Sequence, residues 1–193
     1  MILLVVALLA IAAPASAQQR FEAGAQVAIA RSGEFDATDT GLGGRVAWNA
    51  LDLVSAEAEL NVYPRTFPAS RSTSFSRGRV EGLFGVTAGP RFGRVRPFGK
   101  FRPGFVRFRG RTIACILIFP PPLSCQLAEG RTVFALDLGG GVEVFASSRT
   151  FVRVDAGDRM LKYPGPSFRR AQVAQDDFFS HDFRFTAGAG LTF

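Results

Sequence analysis

From residue 20 onward the chain alternates apolar and polar positions with a period of two, the pattern of strands whose two faces meet different surroundings. The last segment is the clearest. Phe183, Phe185, Ala187, Ala189, Leu191 and Phe193 share one face, while Arg184, Thr186, Gly188, Gly190 and Thr192 fill the other. No helical spacing fits that run. The same rhythm recurs over residues 21–30, 41–50, 54–63, 79–88, 131–145 and 150–157. Residues 96–108 repeat it less cleanly, because Pro97 and Pro103 lack the N–H that a strand ladder uses, and a bulge near Pro103 is expected. The result is eight strands of about 8–13 residues, long enough to cross a bilayer when tilted.

The connections alternate in length. Residues 49–52, 89–95 and 146–149 are short turns, whereas 31–39, 64–76, 109–130 and 158–177 are longer. Long loops at one end and short turns at the other predict an all-β fold, an eight-stranded antiparallel up-and-down transmembrane β-barrel with its short turns in the periplasm. The second face of the strands carries Glu22, Arg45, Glu57, Glu59, Glu81, Lys100, Arg102, Asp137, Glu143, Arg153, Asp155 and Arg184. Five positive and seven negative groups on one phase are near balance, as expected of side chains enclosed together and paired. A soluble lipocalin-like carrier would turn the apolar face inward and clothe its outside in small polar residues. The apolar face is therefore expected to meet lipid and the charged face to line the lumen.

The final strand fits the pattern polar-x-Gly-x-x-apolar-x-aromatic on Thr186, Gly188, Leu191 and Phe193. With eight countable strands before it, residues 18–193 resemble the small outer-membrane β-barrels, such as the OmpA transmembrane domain. In that family the terminal aromatic strand is the signal read by the barrel-assembly machinery. The resemblance implies that role for these four residues and that machinery as a partner during biogenesis. Interfacial girdles usually favour Trp and Tyr; here Trp48, Tyr63 and Tyr163 stand beside 20 Phe.

The start of the chain changes the picture of where the barrel works. An apolar run over residues 2–13 is followed by Pro14 and Ala15-Ser16-Ala17, so residues 1–17 are expected to be a signal peptide cleaved before Gln18. The run is too short to span a bilayer as a helix. The longest uncharged stretch after it, residues 112–128, contains Pro120, Pro121 and Pro122 and cannot span either. With 47% hydrophobic residues and 21 glycines the chain is neither disordered, collagenous nor a coiled coil. The net charge of +7 falls wholly after the leader, because Arg20 is the first charged residue. Such a balance would ordinarily suggest nucleic acid, but export argues against that partner and favours an acidic surface such as phosphorylated lipid. Cys115 and Cys125, in an exported chain, are expected to form a disulfide. A metal site would need more ligands than two Cys and the single His181 supply, and C-x-x-C redox spacing is absent.

Neither a cofactor nor a catalytic site is expected. A resemblance to the barrel enzymes that deacylate lipid A would require a Ser two residues from His181, where Phe183 stands. An eight-stranded barrel is just wide enough for its side chains to fill, which argues against an open pore. The loops hold the remaining signal. Arg65, Arg71, Arg77 and Arg79 follow one another with no acid between, and residues 107–131 hold four Arg and Glu129. Such loops match lipopolysaccharide phosphate, other outer-membrane lipids or acidic polysaccharide by charge-assisted bidentate contacts. Ile116, Phe119 and Leu123 belong to an apolar stretch between the two Cys. It either presents a tip to a surface partner or folds down on its neighbouring loops. The function read from the sequence is a non-enzymatic outer-membrane barrel with an envelope-structural or surface-interaction role. A lipid A-modifying barrel enzyme and a soluble periplasmic carrier are the alternatives.

Overall fold

A computed structural model describes residues 20–68, 74–115, 121–167 and 176–193. Eight antiparallel strands close into a barrel in sequence order: β1 (Phe21–Ser32), β2 (Ala37–Asn49), β3 (Val54–Tyr63), β4 (Arg79–Ala88), β5 (Val95–Phe108), β6 (Thr132–Phe145), β7 (Thr150–Tyr163) and β8 (Phe178–Thr192). The seam between β1 and β8 continues past the last strand residue, where Phe193 N donates to Phe21 O at 2.8 Å. Closure leaves no strand edge unpaired, which a bilayer interior requires.

Three strand limits differ from the sequence reading. β1 and β2 continue to Ser32 and from Ala37, so the expected loop over 31–39 is only residues 33–36. Asp36 takes φ of 46° there, a left-handed conformation that Asp tolerates better than most residues and that lets the chain reverse tightly. β7 runs on to Tyr163, which shortens the expected 158–177 loop to 164–177. Its extension keeps the alternation, with Arg159, Leu161 and Tyr163 buried; the charge at Asp158 and Arg159 had masked it. The bulge expected at Pro103 is absent. The pairs Leu83–Gly104 and Val86–Phe101 lie on one register, and β5 pairs β6 without a break from Val95 to Arg107. The proline removes bonding to β4 locally but inserts no extra residue.

The outward face is apolar: Leu42, Trp48, Leu60, Phe84, Phe101, Phe134, Val152 and Phe183 are all exposed on the wall. The inward face is layered. Charge fills the part nearer the short turns. Nearer the long loops, Val106, Phe108, Val133, Ala135, Leu161 and Tyr163 form an apolar collar. Loop side chains descend into that collar. Phe67 and Phe75 enter from the loop before β4, and Leu123 and Leu127 from the short helix α1 (Leu123–Ala128). The Cys115–Cys125 disulfide ties the strand-proximal part of that loop to α1. The mouth is thus stoppered by packed side chains of its own loops.

A buried charge network and an arginine-rich rim

The alternation of each strand decides which charges meet in the lumen. Arg45 on β2 donates to Glu22 on β1 at 2.6 Å, Glu57 on β3 at 3.1 Å and Glu143 on β6 at 2.8 Å. Arg153 on β7 shares two of these acids, reaching Glu57 at 2.9 Å and Glu143 at 3.1 Å, and also meets Asp155 at 3.1 Å. One layer further in, Arg102 on β5 reaches Glu57 at 2.8 Å, Glu59 at 2.7 Å and Asp155 at 3.2 Å, and binds Asp137 as well. Lys100 pairs with Asp137 at 3.1 Å and with Asp155. Arg184 on β8 joins Glu81 at 3.1 Å, Asp137 at 3.3 Å and Glu59. All twelve charges assigned to the inner phase are buried, and the structure brings them into one ion-pair network.

Five further buried charges escaped the sequence reading: three join this network, and Arg79 with Asp39 forms a separate pair. Arg96 pairs with Glu143 at 3.4 Å, Arg159 with Glu81 and with Asp182 at 2.7 Å, and Arg79 with Asp39 at 3.0 Å. Arg79, grouped by sequence with the loop arginines, is the first residue of β4 and is buried. Carrying each strand's odd or even phase past the apolar run would have found all five. Isolated, each such charge would carry a desolvation cost of several kcal/mol. Here nearly every cation faces two or more carboxylates, and neutral groups fill the remaining valences: Gln26 donates to Asn61 at 3.0 Å, and Asn61 to Glu81 at 3.0 Å. Glycine makes the space. A Cβ at Gly141 would lie 2.5 Å from the Asp155 Cβ and 2.7 Å from the Phe98 ring.

Arg79 is the boundary between charge and stopper. Its guanidinium carbon lies 3.9 Å from the Phe67 ring centroid and 5.0 Å from that of Tyr63, while one amine meets Asp39. Ion pairs below and aromatic packing above fill the lumen, the reverse of a soluble carrier with an apolar hollow. Among the described residues no three His, Cys, Asp or Glu are grouped to hold a metal ion. His181 sits on the outer wall with Nδ1 2.6 Å from Asp158 Oδ2, and the Ser180 hydroxyl turns inward to Asp182.

The rim at the long-loop end is divided. Arg31–Asp36, Lys162–Asp177 and His181–Asp158 are exposed pairs on the β7–β8–β1–β2 side. On the β3–β6 side, Arg65, Arg77, Arg107 and Arg109 are exposed, and among the described residues none has an ion pair. Arg111 bonds Ser74 and Arg131 donates to Gln126 at 2.8 Å, so both stay uncompensated by acid. Of the loop residues singled out from sequence, Arg65 and Arg77 lie on this side; Arg71, Ile116 and Phe119 lie outside the described residues, as do residues 1–17. Leu123, at 2% exposure, takes the second of the two courses open to its stretch: it folds down into the stopper, where the barrel mouth gives it an apolar collar to bury against, and it is not an exposed contact residue. On β8, Thr186 faces inward while Leu191 and Phe193 project outward.

A closed eight-stranded barrel with an apolar outer wall and an ion-paired lumen is the architecture of an outer-membrane barrel. The sequence model of the outer membrane protein beta-barrel domain matches residues 1–193, and the chain belongs to that family. The protein is accordingly one of the outer membrane. No curated protein matches the chain. Among solved structures, Neisserial surface protein A is similar with a TM-score of 0.52 and 17% identity, covering 90% of this chain and 97% of that one. The N-terminal β-barrel domain of Pseudomonas aeruginosa OprF follows with a TM-score of 0.48 and 11% identity, over 89% of this chain and 97% of that one. These likenesses are in fold.

Proposed function

We propose that this barrel is a non-enzymatic envelope protein that holds anionic groups at its outer surface through the β3–β6 side of its rim. The observation that carries the reading is the contrast in pairing. Cations in the lumen, and Arg31 and Lys162 on the opposite rim, are matched with acids, whereas Arg65, Arg77, Arg107 and Arg109 stand exposed and unmatched. Unmatched guanidinium groups just above an apolar wall suit the phosphates of lipopolysaccharide, or an acidic polysaccharide lying over the membrane. A surface partner reaching the loop between Cys115 and Cys125 belongs to the same reading. So do removal of residues 1–17 on export and recognition of Thr186, Gly188, Leu191 and Phe193 by the barrel-assembly machinery.

The absence of catalysis is supported by the placing of His181, whose ring is on the outer wall while the neighbouring Ser180 hydroxyl faces the lumen. The test is lipopolysaccharide binding by the refolded barrel against a quadruple variant with all four arginines replaced by Gln. At about 1 kcal/mol per arginine near an anionic surface, the variant should bind on the order of a thousandfold more weakly, with a shallower salt dependence. Dephosphorylated lipopolysaccharide should not distinguish the two proteins. Equal binding of the intact ligand by both would overturn the reading.

A further inference from the structure

At the opposite end from the arginine rim, the barrel opens to the periplasm through a vestibule of about 360 Å³, bordered by the turns 50–53 and 89–94. That volume lies in the range of small-ligand sites and exceeds what a single inorganic anion fills. Arg96 belongs to its lining and is itself buried. Its Nη1 donates to Asn49 Oδ1 at 3.3 Å and Glu143 Oε2 at 3.4 Å, and its Nη2 donates to Ser55, which fixes the guanidinium plane. Its Nε is buried and has no hydrogen-bond partner. A donor in that condition costs stability until an acceptor reaches it.

Arg91 supplies a second guanidinium, over the Phe145 ring with its carbon 3.9 Å from the centroid. Its Nε donates to Gly93 O at 3.0 Å, so among the described residues its two terminal amines remain open. A guanidinium held against an aromatic ring loses less freedom when its terminal amines meet a carboxylate. Asp52, on the turn 50–53, also borders the vestibule and has no ion pair among the described residues. The other acid in the lining, Glu22, is already engaged by Arg45 and Asn49. Three guanidinium side chains, of Arg20, Arg91 and Arg96, and the unpaired carboxylate of Asp52 thus border a single cavity. A phosphate would use the arginines but be repelled by Asp52; a ligand with both signs uses all of them.

We propose that the vestibule binds a short peptide with free ends, its C-terminal carboxylate on Arg91 and Arg96 and its amino group at Asp52. The apolar parts of Leu51 and Phe145 accommodate small side chains between those ends.

The probe is tri-alanine, titrated into the full chain refolded in micelles while the Arg Nε–H resonances are followed by NMR. Saturable shifts are expected at Arg91 and Arg96. Tri-alanine amide and N-acetyl-tri-alanine should each bind about tenfold more weakly, the loss of one charge-assisted contact. Arg91→Gln should weaken tri-alanine similarly, and Asp52→Asn should weaken tri-alanine but not its N-acetyl form. The comparison of acid with amide uses the unaltered protein and does not depend on how a variant folds. The proposal is overturned if tri-alanine gives no saturable shift at millimolar concentration, or if its amide binds equally. It is overturned too if inorganic phosphate binds as tightly and ignores Asp52→Asn, which would make the vestibule a simple anion trap.

Discussion

Arg102 is fully buried and meets Glu57, Glu59, Asp137 and Asp155, carboxylates from three strands. Its charge is therefore shared by several partners, each of which loses a counter-charge if Arg102 is replaced. Arg102→Met is predicted to destabilise the folded barrel by about 3–5 kcal/mol, the scale for breaking a buried pair on one side. The urea midpoint of the refolded protein reports it, and an unmoved midpoint would place these carboxylates in water. At this scale the sequence was most informative where a charge sat inside a long apolar alternation. Glu57, Glu59 and Arg184 could be assigned to the lumen because their neighbours two residues away were small or charged and the residues between were apolar. Arg79 opens β4, and Arg159 and Asp182 sit beside the outward polar residues Asp158 and His181; the apolar face is interrupted there, and a lumen charge looks like a loop charge.

Elements show a different mixture. Period two located eight strands, and β3 and β4 begin and end where the alternation does. Proline chemistry predicted a disturbance at Pro103 but not its form: a missing N–H can be absorbed by a lapse in one ladder without any bulge. The fate of the apolar loop residues depended on the rest of the barrel. Phe67, Phe75, Leu123 and Leu127 bury against the collar made by Val106, Phe108, Val133 and Leu161, which come from three strands, so their direction could not be read locally. The disulfide belongs to this loop level. The Cys are 10 residues apart, and closing so short a loop constrains the unfolded chain by about 3 kcal/mol in the chain-entropy view. None of the eight strands is cross-linked by it. A double Cys115→Ser, Cys125→Ser variant is predicted to insert normally, with protease cutting in intact cells rising within residues 116–123 and the strands still protected. Failure of that variant to insert would mean that the bridge is needed to form the barrel itself.

The whole molecule depends on one choice of face. Shifting a strand by one residue would send its outward apolar side chains into the lumen and its lumen charges into lipid. An even number of strands, a paired lumen and an apolar wall are therefore a single arrangement, and the arginine rim and periplasmic vestibule owe their opposite placements to it. β5 tests it best, because its two prolines make it the least regular strand, and Phe101 on the outer wall lies between Lys100 and Arg102 in the lumen. The most direct measurement is fluorescence of a single tryptophan at that position, Phe101→Trp with Trp48→Phe, in bilayers carrying brominated acyl chains. Strong quenching by the bromolipid with little effect of aqueous iodide is the predicted result; quenching by iodide and indifference to the bromolipid would contradict the assignment of faces.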